Sequence, residues 1–355
     1  MIALTIALAI GELALRAAVT LPLRRVLPEI RYDRHPVRHF TLRPNQTAYS
    51  FGATASVDGQ GFRTNGRAGG SAGGARVLAL GDSFTFGMGV RDEETWPARL
   101  EARLQTVLDR PIAVTNAGTI SYGVYQEMDL LRTAGLAIAP DIVVHGLYWN
   151  DFMNDGPPSA TAPNVVTSRG YLAWDLPDDT RGALPKLLSW ASTRSALLFA
   201  LRQTILQSGL LPREQSAYGD AYARFLERGL TDEEWQPIER FYRELLALGR
   251  ERGFRIFVVV MPVNDIVALP AASSHPYPRA ARARLTALGV PHLDAFSLWE
   301  RGKADVDDMF LPQGSDSHLN AKGYGALAMA VADALGSNPE LRATLLAQSS
   351  ASSTH

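Results

Sequence analysis

The sequence predicts an α/β protein: a parallel sheet covered on both faces by helices. Apolar runs recur at RVLAL (76–80), IAVTN (112–116), DIVVHGL (141–147), FRIFVVVMP (254–262) and VPHLDAF (290–296). Amphipathic helical stretches lie between them. Continuous apolar strands alternating with such helices are buried on both sides, which only a parallel sheet between two helical layers provides.

The first 27 residues stand apart. MIALTIALAIGELALRAAVTLPL is apolar from Met1 to Leu23 except for Glu12 and Arg16, which sit four apart and share a helical face. At ~1.5 Å per residue this run approaches the ~30 Å of a hydrocarbon core, so it is expected as a membrane anchor or signal-like helix. A helix docked on the protein and a cleaved signal are the alternatives; no Ala-x-Ala-like site stands out. Arg16, Arg24, Arg25 and Arg31 all follow or end the run. Taken alone, the positive-inside tendency puts the body of the protein in the cytoplasm.

Residues 28–75 read as a strand-rich collar, HFTLRPNQTAYSFGATASVDGQGFRTN, closed by the Gly-rich linker RAGGSAGGA (67–75). The main domain is expected over 76–340. After its first strand, TWPARLEARLQTVL puts Leu100, Leu104, Val107 and Leu108 on one helical face, with Thr95 as N-cap and Pro97 in the first turn. YQEMDLLRTAG, IERFYRELLALGRERG (with Gly253 as its stop) and ALAMAVADALG supply further helices. Residues 152–235 break the rhythm. A Pro-rich opening, an apolar helical stretch and a charged helix mark a helical insertion or lid. The tail, 341–355, is expected to be disordered.

Composition narrows the function classes. Lys+Arg 35 against Asp+Glu 36 leaves a net charge of -1, so no global basic field exists to attract nucleic acid. With no cysteine, disulfides, thiol catalysis and thiolate metal sites are excluded. No His/Asp/Glu spacing indicates a metal, and no cofactor is expected.

The chemistry starts at VLALGDSFTFGMG (77–89), where a buried strand ends in Gly-Asp-Ser and a glycine-seeded loop. Ligands bind at the carboxyl ends of such strands, which makes Ser83 a candidate nucleophile. A serine needs a base, and His318 in GSDSHLNAKGYGALA is the best placed, opening the last helix. Asp316, two residues earlier, is close enough to orient its imidazole. Asn150, at the end of the third strand in GLYWNDF, offers an NH2 donor for an oxyanion, and the turn after the second strand, NAGTISYG, offers a backbone N–H. His145 lies within a core-like strand and is read as packed rather than catalytic. Tyr148 and Trp149 are candidates for stacking on a sugar ring, or for simple packing.

These four blocks, in this order over roughly 76–335, resemble the SGNH/GDSL hydrolase superfamily. The collar and apolar helix resemble its envelope-anchored bacterial members, which implies a membrane-anchored protein facing the periplasm or cell exterior. The resemblance implies a flavodoxin-like, three-layer α/β/α fold with a five-stranded parallel sheet. It also implies a serine-dependent esterase forming an acyl-enzyme on Ser83. Asn150 matches the oxyanion asparagine, and Ser121 falls where the family usually has glycine, with Gly118 and Gly123 as alternatives. Many members carry Asp-x-x-His, which would put Ser315 in the acid's place; the Asp-x-His variant makes Asp316 the match. Asp82 is expected to be structural. The absence of G-x-S-x-G, and an acid and base sharing one loop, argue against an α/β-hydrolase elbow; the absence of Gly-Lys-Ser/Thr argues against a P-loop. The implied substrate is an ester or acylated carbohydrate. An O-acyltransferase acting on an envelope polysaccharide and a non-catalytic glycan-binding protein are the alternatives.

Overall fold

The computed structural model describes residues 2–18, 30–50, 52–66, 74–153, 166, 170–172, 195–207, 217–300, 306–311 and 318–347. The central sheet is built from β5 (Ala75–Gly81), β6 (Ile112–Gly118), β7 (Ile142–Leu147), β8 (Arg255–Val260) and β9 (His292–Asp294). All four pairings are parallel, in the order β6-β5-β7-β8-β9. Every residue of β7 is buried, as expected of a strand covered on both faces. β5 lies between β6 and β7, so the chain reverses its direction of growth across the sheet at this point. That switch opens a crevice at the strand carboxyl ends, as in flavodoxin-like sheets. Ser83 follows β5 directly, at the crevice.

Among the described residues the α-helices are α1 (Ile2–Ala18), α2 (Ser83–Phe86), α3 (Trp96–Leu108), α4 (Val124–Thr133), α5 (Ala196–Gln207), α6 (Ala217–Arg228), α7 (Asp232–Arg252), α8 (Asn264–Val267), α9 (Pro276–Ala287), α10 (Phe296–Glu300), α11 (Ala321–Ser337) and α12 (Pro339–Leu346). Thr95 caps α3 by accepting the Ala98 N–H, and Pro97 sits in its first turn. Leu100 and Leu104 are buried, whereas Val107, predicted on the same face, is 54% exposed. Gly253 ends α7 at φ 83°. Residues 341–346, expected as disordered tail, belong to α12, because Leu341 and Leu345 are buried in the core. In the 152–235 insertion, the Pro-rich opening (156–163) lies outside the described residues, as does most of the linker at 67–73.

The first helix was expected as a membrane anchor or signal-like helix. Among the described residues, no helix is long and apolar enough to cross a membrane. The charges of α1 are committed to protein contacts. Arg16 pairs with Glu12 at 2.6 Å, the i,i+4 pair its spacing predicted. Glu12 in turn caps α5, accepting the Ala196 and Leu197 N–H groups at 2.9 and 3.0 Å and the Ser195 hydroxyl at 2.8 Å. Those backbone donors hold its carboxyl down at about 2.

The collar comprises two antiparallel hairpins, β1 (Tyr32–His35) with β2 (His39–Leu42), and β3 (Gln46–Ser50) with β4 (Ala53–Val57). It packs directly on the main domain. Tyr122 donates its hydroxyl to the Phe40 carbonyl at 2.6 Å, and Arg63 bridges β4 to β6 through Val57 and Asn116.

Candidate active site

Three loops at the sheet's carboxyl edge converge on Ser83. The strand-to-helix turn is possible because of glycine. Gly81 has φ 153°, and a Cβ there would stand 2.3 Å from the Thr85 hydroxyl. A Cβ on Gly118 would stand 2.1 Å from the Phe86 nitrogen, so α2 presses on the end of β6 as no side chain would permit. Asp82 caps α2, its Oδ1 accepting the Phe84 N–H at 2.9 Å. Asp82 is therefore a structural part of this turn, as the sequence reading expected. Burial pushes its carboxyl up to about 6, against the opposing pull of the Phe84 N–H and His318.

Ser83 and His318 meet across 235 residues of chain. Ser83 Oγ lies 2.7 Å from His318 Nε2, and a longer contact of 3.3 Å runs from Ser83 Oγ to Asp82 Oδ2. The short distance suits an imidazole nitrogen that accepts the serine proton. The ring is fixed from below by Phe84, stacked on it at 4.4 Å, and Phe84 in turn packs on Tyr148 at 4.2 Å. The backbone around His318 is also held. Its carbonyl accepts the Leu311 N–H at 2.8 Å, and Leu319 bridges Phe310. Two residues on, Asn320 caps α11 through the Lys322 and Gly323 N–H groups. Asp316, the predicted acid, lies outside the described residues, as does Ser315.

The second loop carries Ser121, whose φ of 64° puts a serine in the left-handed region. A Cβ costs roughly 1–2 kcal/mol in this region, a cost glycine would not bear. Ser121→Gly is therefore expected to retain acylation, and Ser121→Val to lose both activity and stability. Burst amplitude and thermal unfolding of the two variants check this; equal behaviour would mean the backbone conformation is irrelevant.

The third loop carries Asn150, half-buried, with its Oδ1 buried and unpartnered among the described residues. It is stitched to the second loop by the Val124 N–H, donated to the Asp151 carbonyl at 2.9 Å. Gly123 lets the two approach, because a Cβ would come 2.3 Å from the Met153 carbonyl. The Thr119 N–H, donated to the Gly81 carbonyl at 3.0 Å, ties the second loop to the nucleophile strand. The loops of Ser83, Ser121 and Asn150 thus form one hydrogen-bonded rim.

Tyr148 and Trp149, considered as sugar-stacking rings, are both buried by protein. Trp149 stacks on Phe225 of α6 at 4.6 Å and lies 5.1 Å from Tyr222. The insertion helix occupies the face a sugar would need.

Two sets of residues around the site escaped the sequence reading. Arg63, in the collar, is fully buried and donates to the carbonyls of Phe86, Gly87 and Val90 at 2.7, 2.5 and 2.6 Å. Glu127, His145 and Asp151 are buried together beneath the rim. His145 was read correctly as a packed residue, but its carboxylate partners were not foreseen. Glu127 carries a signal only in hindsight, being an acid on the apolar face of an amphipathic helix.

No curated protein matches the chain. Among solved structures, it is similar to LAE5, described as an alpha/beta hydrolase enzyme from the metagenome of Lake Arreo, at 15% identity and a TM-score of 0.42, over 74% of this chain and 95% of that one. It is also similar to an acetyl xylan esterase, AlAXEase, at 15% identity and a TM-score of 0.40, over 73% and 98%. A further likeness is to an acetyl xylan esterase from Geobacillus stearothermophilus, at 14% identity and a TM-score of 0.42, over 75% and 96%. Residues 79–326 match the GDSL-like lipase/acylhydrolase family, a span holding β6 to β9, the end of β5, all three loops and His318. By that match the chain belongs to the GDSL-like lipase/acylhydrolase family and is an ester-bond hydrolase.

Proposed function

We propose that this hydrolase works through an acyl-enzyme on Ser83. The observation that carries the reading is the 2.7 Å contact between Ser83 Oγ and His318 Nε2. Ser83 Oγ attacks the ester carbonyl carbon while its proton passes to His318 Nε2. The carbonyl oxygen takes up the electron pair as an oxyanion, held by the Ser121 N–H and the Asn150 side chain. Collapse of this intermediate expels the alkoxide, which leaves as alcohol with the proton from His318. Water, deprotonated by the same imidazole, then releases the acid and restores Ser83. Asp316 is assigned the task of orienting His318.

An acylated carbohydrate is the substrate class proposed, with the sugar held by something other than the buried Trp149 ring.

Incubating the protein with 4-nitrophenyl acetate, beside Ser83→Ala, tests this. A nitrophenol burst with one acetyl added to the wild type alone is expected by intact mass. An adduct on the Ser83→Ala protein, or no adduct on folded wild type, would sink the assignment. A long-lived adduct discharged faster by added sugar hydroxyls than by water would move the reading to acyl transfer.

A further inference from the structure

Behind the rim, a line of buried polar groups runs from α7 to the Asn150 turn. Tyr242 Oη lies 2.8 Å from His145 Nδ1, and His145 Nε2 lies 2.7 Å from Glu127 Oε2. Glu127, His145 and Asp151 each bring a ligand atom within 4.8 Å of the others', and all three are buried. Asp151 Oδ2 accepts the Tyr148 N–H at 2.8 Å, closing the turn in which Asn150 sits.

Following the hydrogens along this line leaves one missing. With the Tyr242 hydroxyl donating to His145 Nδ1, the His145 Nε2–H donates to Glu127 Oε2. Among the described residues, two carboxyl oxygens then remain buried without a partner, Glu127 Oε1 and Asp151 Oδ1. Two ionised carboxylates so close in a dry interior repel one another, and neither orphan oxygen has a donor. One proton shared by the two carboxyls would remove one charge and offer a donor to an orphan oxygen.

We infer that Asp151 is a neutral carboxylic acid that donates from Oδ1 to Glu127 Oε1, and that this bond is the positioning device for Asn150. The groups facing Asp151 agree with the assignment. They are Glu127 from α4, Asp82 from the nucleophile turn, His145 from β7, Tyr242 from α7 and Tyr277 from α9, with no arginine or lysine among them. Burial first, then the charges of Glu127 and Asp82, drive the Asp151 carboxyl well above the ordinary aspartate range. The neutral form is thus the one the fold stabilises. That stabilisation is fully present below the ordinary aspartate range and is lost as rising pH ionises Asp151.

The inference rests on the proposed oxyanion role of Asn150 for its consequence, but not for its chemistry. Asp151→Asn copies the protonated acid, its amide donating to Glu127 and its oxygen accepting from Tyr148. It is expected to acylate Ser83 about 10²-fold faster than Asp151→Ala, the cost of a misplaced oxyanion donor. Wild-type acylation is expected to decline on the alkaline side, and Asp151→Asn to lack that decline. Infrared spectroscopy of the full chain at pH 7 reads the proton without any activity. The carbonyl stretch of a protonated carboxylic acid should be present in the wild type and lost in Asp151→Asn. An unchanged infrared band, or an Asp151→Asn variant as slow as Asp151→Ala, overturns the inference. So does a divalent cation found in the purified protein that Asp151→Asn abolishes. Failure of Ser83 to form an adduct would instead remove the functional reading and leave the infrared result standing.

Discussion

His318→Gln is expected to slow acylation by 4-nitrophenyl acetate by about 10²–10⁴-fold, the range for loss of a positioned general base. Glutamine fills most of the volume over Phe84 but its amide accepts a proton far more weakly than imidazole. Because His318 is buried against Phe84, with its carbonyl committed to the Leu311 N–H, the loss should come with little unfolding. His318→Ala completes the test, since it opens a cavity at that ring. Added imidazole should then restore part of the burst rate, which a purely structural role would not allow. A rate within tenfold of wild type for His318→Gln, without rescue of His318→Ala, would assign the base elsewhere.

Arg63→Met is expected to destabilise the protein by about 3–5 kcal/mol, the cost of breaking a buried ion pair from one side. The guanidinium is fully buried and spends its donors on four acceptors at once: the Phe86, Gly87 and Val90 carbonyls and Asp92 Oδ1 at 3.1 Å. It also lies over the Phe86 ring at 4.5 Å. Methionine fills the space of the stem but leaves Asp92 charged, buried and short of a partner. Asp92 would retain the Ser56 N–H and the Thr64 hydroxyl, which limits the loss. Arg63→Lys keeps a charge but presents a single nitrogen to acceptors arrayed for a planar fork, so it too should fall below wild type. Urea unfolding of both variants gives the stability. The burst rate reports whether the nucleophile turn loosens with it. An Arg63→Met protein within about 1 kcal/mol of wild type would show that these bonds add no more than an average neutral hydrogen bond does.

The sheet was legible along the chain because a strand buried on both faces must be apolar throughout, and RVLAL, IAVTN, DIVVHGL and FRIFVVVMP mark β5 to β8 to within a few residues. The α3 cap was legible for the same local reason, since Thr95 and Pro97 act within one turn. The contacts of the N-terminal helix were not legible, because hydropathy counts a charge as a cost to be borne in lipid. Glu12 and Arg16 instead find each other and the end of α5, a contact separated by 184 residues for the Ala196 N–H. Tyr148 and Trp149 were ambiguous for a related reason. Strand-end aromatics serve packing and recognition alike, and only the position of Phe225 on α6 decides that Trp149 is covered.

What the sequence determined by itself is the set of local conformations: apolar parallel strands, capped helices, a glycine-permitted turn that presents Ser83, and an order of motifs that marks the family. Tertiary structure alone decided which distant groups meet. It brought His318 to Ser83, Arg63 to the nucleophile turn, and Glu127 and His145 to Asp151. The physical reason is that backbone preference and hydropathy act over a turn or a strand. A buried charge or hydrogen bond is stable only with its partner in place, and nothing near it in the chain records where that partner will be.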